Sequence, residues 1–282
     1  MTNQGAVGYY RHLRWGLRSR VALYPSLYLS MARRKYGEAV LAEDTGLLID
    51  GFTRSGVTFA VVAFNVAQRR PVPLAHTLHA PAHVIAAVRR NVPSLVTVRE
   101  PEATVLSAVI REPDVTIEQG LRAWIRFYGA IRPYREDFVV APFDRVVDDY
   151  GSVIRQVNER FGTDFDAFDH TPENVALCFS IIEDRSRRPP WSEELGKFES
   201  GRIGLAEYLA ARERYGGPGA LPKVPETRVP RPSAEREAIK RTLADRLAEP
   251  GLRGVRREAK RVFEDYVGHV PSAGPDPRSE LG

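Results

Sequence analysis

Leu47-Leu48-Ile49-Asp50-Gly51-Phe52-Thr53-Arg54-Ser55-Gly56-Val57-Thr58-Phe59 is the stretch on which the fold turns. It opens with a short apolar run, passes through a loop bounded by two glycines, and continues as the apolar segment Val57 to Ala67, helical in length and pattern. The run reads as a buried strand. Gly51 to Thr58 fits the frame G-x-x-x-x-G-x-S/T, in the strand–loop–helix context that a phosphate-cradling loop requires. Two glycines let the backbone turn so that successive N–H groups point at one anion. The start of the helix adds a partial positive charge at the same place.

The alternation continues outward from this unit. Val72 to His76 reads as a second strand, weakened by Pro73, and Pro81 to Arg90 as a helix whose proline suits its first turn. Ser94 to Val98 reads as a third strand, Pro101 to Ile110 and Ile117 to Ile131 as helices, Phe138 to Ala141 as a fourth strand, and Val146 to Phe161 as one helix. Such alternation predicts an α/β fold: a mainly parallel sheet flanked by helices on both faces, of the P-loop nucleotide-binding type, with ligands at the carboxyl ends of the strands. The rest reads as a helical C-terminal part. In it, Arg185 to Pro190 is a charged loop, Gly216 to Gly219 a breaker, and Ala234 to Ala248 a helix capped by Ser233. Residues 1–270 are expected to form one α/β domain. Residues 1–40 are a basic, aromatic extension packed on it, its pattern interrupted at Pro25, and 271–282 a disordered tail.

The 282 residues are 43% hydrophobic and 27% charged, a globular composition with ample chain for a core. A net charge of +5 suits an anionic ligand or surface, but no basic block with interleaved aromatics argues for nucleic acid. The Arg-rich stretch from Arg11 to Arg20 leaves peripheral membrane contact open. No apolar run reaches the roughly 20 residues of a transmembrane helix. Nor is there a secretory pattern, so no transmembrane segment and a cytoplasmic location are expected. The single cysteine, Cys178, sits in an apolar run and reads as core; it rules out an internal disulfide and a multi-thiolate metal site.

The loop departs from that of ATP- and GTP-hydrolysing proteins in one informative way. Val57 stands where they have lysine, and a cation appears instead at Arg54, inside the loop. No acidic residue ends a strand in a place suited to Mg²⁺ beside Thr58; Asp50 leads into the loop itself. A transferring sulfuryl group carries less charge than a phosphoryl group and can manage without the metal that phosphoryl transfer uses.

Three segments then share a resemblance. Thr53 to Phe59 resembles the loop of sulfotransferases that use 3′-phosphoadenosine 5′-phosphosulfate, with a basic residue before Ser-Gly and a Thr two positions after the glycine. Val57 stands where Thr or Asn is commoner. Val98-Arg99-Glu100-Pro101, with Ser107 eight positions after Arg99, resembles that family's strand-ending Arg and helix-borne Ser. Thr77-Leu78-His79-Ala80-Pro81 resembles the context of its acceptor-activating histidine. Tyr134 to Asp144 stands where the family has another strand, with different wording. Arg228 and Arg231 stand where it closes a late basic loop over the nucleotide, without the family's wording there.

The resemblance implies a sulfotransferase that moves a sulfuryl group to a hydroxyl or amine, with no metal. Arg54, Ser55, Gly56, Val57, Thr58 and Phe59 would hold the 5′-phosphosulfate. Arg99 and Ser107 would hold the 3′-phosphate, where a guanidinium can grip bidentately. His79 would take the acceptor proton, with His76 as rival and His83 behind it. Arg54 would oppose charge on the leaving oxygen, and Arg228 and Arg231 would close over the nucleotide. The acceptor could be a small molecule, a carbohydrate or a lipid. Trp124, Phe127, Tyr128 and Trp191 either line its pocket or fill the core, and helical spacing favours the core. A P-loop small-molecule kinase and a catalytically inactive nucleotide-binding relative remain as alternatives, and the oligomeric state is open.

Overall fold

The computed structural model describes residues 20–112, 114–187, 189–217, 219 and 234–268. Four strands, β1 (Leu47–Gly51), β2 (Leu74–His76), β3 (Ser94–Val98) and β4 (Val139–Pro142), form an all-parallel sheet in the order β2-β1-β3-β4. The register pairs Leu48 with Ala75 on one side and with Ser94 on the other, and Leu95 with Val139.

Strand side chains alternate between the two faces, and two apolar clusters follow from this. Leu48, Ala75, Val96, Val98 and Val140 join the cluster completed by α3 (Pro81–Arg89), α4 (Pro101–Arg111), α5 (Ile117–Ile131) and α12 (Arg253–Val267). Leu47, Ile49, Leu74, Leu95, Val139 and Ala141 join the opposite cluster. That one is completed by α2 (Val57–Ala67), α7 (Tyr150–Phe161), α8 (Pro172–Arg187), α9 (Ser192–Glu199) and α10 (Leu205–Arg214). Apolar residues on both strand faces are what a sheet sandwiched between helix layers requires. A third, smaller cluster joins α1 (Pro25–Tyr36) to the segment Leu78–Ala82.

Some boundaries differ from expectation for local reasons. Pro25 does not interrupt a pattern but opens α1, where a missing N–H costs nothing. Strand β2 begins only at Leu74, because Pro73 has no N–H for the ladder. The helix expected over Val146–Phe161 is two: α6 (Phe143–Asp148) and α7. They are divided at Asp149, whose carboxylate caps α7 by accepting from Ser152 N at 3.2 Å. Helix α8 runs on to Arg187, through much of the expected loop. A further helix, α11 (Ala234–Leu247), lies close to its expected span, while its expected cap Ser233 and the tail 271–282 lie outside the described residues.

Connectivity places the site. From β1 the chain crosses to β2 at one edge; from β3 it crosses to β4 at the other. The order therefore reverses between β1 and β3, and the crevice beyond their carboxyl ends is where such sheets bind ligands.

Candidate functional site

The quoted loop fills that crevice. Gly51 pairs with Thr97 in the ladder, and a methyl group at Gly51 would lie 2.3 Å from Thr97 Oγ1 and 2.5 Å from Thr97 O. Only glycine lets the two strands close at this point. The turn is tied internally by Ser55 N–H to Phe52 O at 3.2 Å and by Ser55 Oγ to Phe52 O at 2.6 Å. Ser55 is fully buried, and its hydroxyl also meets Thr97 Oγ1 at 2.7 Å. Its hydroxyl thus braces the loop from within rather than facing out. Gly56, at φ 98°, is the residue before α2, and among the described residues no side chain caps that helix. The N–H groups of a helix's first turn have no partner within the helix. Val57 and Phe59 point into the apolar cluster around α2, so their side chains are core. Thr58, on the first turn, is half-buried, as is Thr53 within the loop.

The two other segments converge on this loop. Arg54, held at φ 68°, donates from Nε to Ser107 Oγ at 2.9 Å. Arg99 donates from Nη1 to Arg54 O at 3.3 Å, and its guanidinium stacks on the Phe143 ring at 3.8 Å. Arg54, Arg99 and Ser107, spread over 54 positions of chain, therefore form one cluster at the carboxyl edge of β1 and β3. Ser107 is buried and accepts from Arg54. This donor set fits a phosphate dianion. It also places Arg54 beside the partner expected for the 3′-phosphate.

The histidines separate clearly. His79, at φ 53°, donates its N–H to Asp50 Oδ1 at 3.0 Å, and its Nδ1 meets Gly51 O at 2.8 Å. A carbonyl only accepts, so Nδ1 carries a proton. The His79 side chain is 24% exposed. His83 is fully buried, with Nδ1 at 2.8 Å from Asp50 Oδ2 and Nε2 accepting from Leu41 N at 3.2 Å. Both its nitrogens are engaged within the fold. His76 is also buried, between Thr77 Oγ1 at 2.7 Å and Ser200 Oγ at 3.3 Å. Burial, aided by the charge of Arg185, pushes its pKa down to about 3, which makes it a poor proton acceptor.

Among the described residues, four that are not glycine have positive φ: Arg54, Thr77, His79 and Asn91. Three of them stand at the carboxyl ends of β1 and β2. Such strain, on the order of 1–3 kcal/mol per residue, persists where the surroundings hold it and gathers at functional sites. For His79 the holding groups are Asp50 and Gly51.

Next to His76, an open cavity of about 480 Å³ is lined by Tyr36, Thr77, Arg185, Glu199 and Ser200 among others. Burial raises the Glu199 carboxyl above its ordinary range, and Arg185, at 3.0 Å, pulls it the other way. A larger cavity, about 800 Å³, lies at the amino-terminal ends of β3 and β4; residues of the Tyr134–Asp144 segment line it, but none of the candidate catalytic or donor-binding residues does. Trp124, Phe127, Tyr128 and Trp191 are buried in the two clusters rather than lining either cavity. Cys178 is fully buried as core, and burial pushes its thiol up to about 12. Arg228 and Arg231 lie outside the described residues.

Sequence reasoning missed the residues that support the loop. Tyr128 donates to Thr97 O at 2.8 Å and accepts from Phe52 N at 3.4 Å, and Tyr266 donates to Tyr128 O at 2.8 Å. Burial raises the Tyr128 phenol far above its usual range, so it stays a neutral strut. The sequence offered Asp50 only as the residue leading into the loop and His83 only as the last of three histidines, so their contact at 2.8 Å was missed. No protein-family model matches the chain, and no curated protein matches it significantly.

Proposed function

We propose that the chain is a sulfotransferase that takes its sulfuryl group from 3′-phosphoadenosine 5′-phosphosulfate and passes it to a hydroxyl or amine. One observation carries the reading. Arg54 of the loop, Arg99 at the end of β3 and Ser107 of α4 meet at the reversal point of a parallel sheet, beside an uncapped helix N-terminus. The N–H groups of Gly56 to Thr58 and the Thr58 hydroxyl receive the 5′-phosphosulfate. Arg99 and Ser107 receive the 3′-phosphate, which distinguishes this donor from ATP. Arg54 joins them on the donor and turns toward the leaving oxygen when Ser107 is engaged by phosphate.

His79 acts on the acceptor. Its Nε2 lone pair takes the proton from the attacking hydroxyl, while Gly51 O and Asp50 hold the ring and backbone in place. The oxygen–sulfur bond to the acceptor forms as the bond from sulfur to the phosphate oxygen breaks. The negative charge passes to that phosphate oxygen, opposed by the guanidinium groups. The open cavity beside Thr77, two residues before His79 in the chain, is the proposed place for a small-molecule, carbohydrate or lipid acceptor.

The test is transfer of labelled sulfate from the donor to a panel of hydroxyl- and amine-bearing acceptors, run alongside calorimetry. Transfer, with tight binding of 3′-phosphoadenosine 5′-phosphate, supports the reading. Mg²⁺-dependent ATP binding without binding of that nucleotide assigns the fold to a phosphotransferase. Binding without transfer to any acceptor assigns it to an inactive relative.

A further inference from the structure

We propose that the outer face of α1 is a docking surface for an anionic phospholipid bilayer. Among the described residues, the exposed large hydrophobic side chains are Tyr24 at 62%, Leu27 at 53%, Met31 at 60% and Tyr215 at 45%. Leu27 and Met31 belong to α1, four positions apart and so on one face, and Tyr24 is the residue that caps its start. Arg34 and Lys35, also exposed, follow on the same face, while Tyr28 and Ala32 turn inward to pack on Leu78, Ala80 and Ala82. An apolar stripe flanked by cations is the composition of a helix that lies in a membrane interface.

The charge distribution names the partner. Residues 1–37 contain six arginines and Lys35, and no Asp or Glu; the first acidic residue is Glu38. Taking these seven from the chain's 41 Lys and Arg leaves 34 against all 36 Asp and Glu, so the whole positive balance of the chain lies in this segment. The groove between α1 and α3 has the same character. It is open, about 660 Å³, and its polar lining is Ser26, Ser30, Arg33, Arg34, Arg89 and Arg90, with no acid. Four guanidinium groups and two hydroxyls around an open groove suit phosphate-bearing head groups, and the neighbouring stripe suits acyl chains. A soluble acidic protein would use the cations but would gain less from Tyr24, Leu27 and Met31. No helix among the described residues is long and apolar enough to cross a membrane, so the contact is one of lying on the surface. Because α1 packs on Leu78–Ala82, the docked helix is joined directly to the segment that holds His79. The proposal does not depend on the transfer chemistry.

The test is co-sedimentation of the full chain with vesicles of phosphatidylcholine alone and of phosphatidylcholine with phosphatidylglycerol in equal parts. Binding is expected to the anionic vesicles only, and to weaken as salt is raised. Arg34→Glu with Lys35→Glu should lower affinity by about tenfold or more, since each cation near such a surface is worth about fivefold. Leu27→Ser with Met31→Ser should lower it by about tenfold, through lost apolar insertion. All four positions are exposed, and a thermal melt confirms that the variants fold. Failure to sediment with anionic vesicles would overturn the proposal, as would sedimentation that both variants leave unchanged. So would a dimer in vesicle-free solution that Leu27→Ser dissolves, which would give this face to a second copy of the chain.

Discussion

Among the described residues two aspartates are buried, Asp50 and Asp184, and they do opposite things. Asp184 lies in the helical layer, where Trp191 Nε1 at 3.2 Å, Tyr208 Oη at 2.7 Å and Arg212 Nε at 2.7 Å surround its carboxylate. All four residues belong to α8–α10 or the short links between them, so the cluster pins helices to one another. Asp50 ends β1. It accepts from Gly51 N at 2.9 Å, from His79 N at 3.0 Å and from His83 Nδ1 at 2.8 Å. None of its donors is a lysine or arginine, and two of them lie on backbone at the sheet's carboxyl edge. A buried carboxylate by itself therefore marks no site. What distinguishes Asp50 is that its partners include a strained, partly exposed histidine next to an uncapped helix.

The comparison can be broken most severely at Asp184. Asp184→Ala leaves Arg212 buried without its counter-charge and should cost about 3–5 kcal/mol in chemical denaturation, with the activity of the remaining folded protein unchanged. At the other aspartate's partner the balance reverses. His79→Ala should lower turnover about a hundredfold, or about 2.7 kcal/mol, and change stability by less than about 1 kcal/mol. Normal turnover in that variant would move the base elsewhere.

A smaller effect separates His76 from His79. His76 stays neutral in the fold down to about pH 3, whereas the unfolded chain takes up its proton near pH 6.5. The unfolded state binds more protons within that window. Stability from this group is therefore complete above pH 6.5 and falls with acidification at about 1.4 kcal/mol per pH unit until pH 3. His76→Gln should flatten the slope of unfolding free energy against pH; an unaltered slope would mean that the folded protein already carries the charge. The smallest expected effect is at Ser107. Ser107→Ala should weaken binding of a 3′-phosphorylated nucleotide about fivefold, the worth of roughly one hydrogen bond.

Much of the sheet was legible because its signals are local. Helices α2 and α5 begin and end at their expected residues, since apolar periodicity and flanking turn residues define them without outside help. The break at Asp149 was less visible, because a carboxylate capping Ser152 N has to overrule a periodicity that runs through it. Helix α8 runs into the expected Arg185–Pro190 loop, where Asp184 is held from three sides and Glu183 pairs with Arg187 one turn later. In the site, the three motif segments could be read from spacing. Their meeting could not, since the Arg54–Ser107 bond joins residues 53 apart. Nor could the inward turn of Ser55, which depends on Thr97 lying opposite it, or the burial of Val57, which explains why that position tolerates an apolar side chain.

The central claim is that the β1–β3 crevice reads a 3′-phosphate. The most direct measurement is calorimetric titration of 3′-phosphoadenosine 5′-phosphate and of adenosine 5′-phosphate into the unaltered chain and into Arg99→Ala. The account predicts that the 3′-phosphate adds about tenfold to a hundredfold in affinity, as charge-assisted hydrogen bonds do, and that Arg99→Ala removes most of that preference. Equal affinity for the two nucleotides in the unaltered chain, or a preference that survives Arg99→Ala, would contradict it.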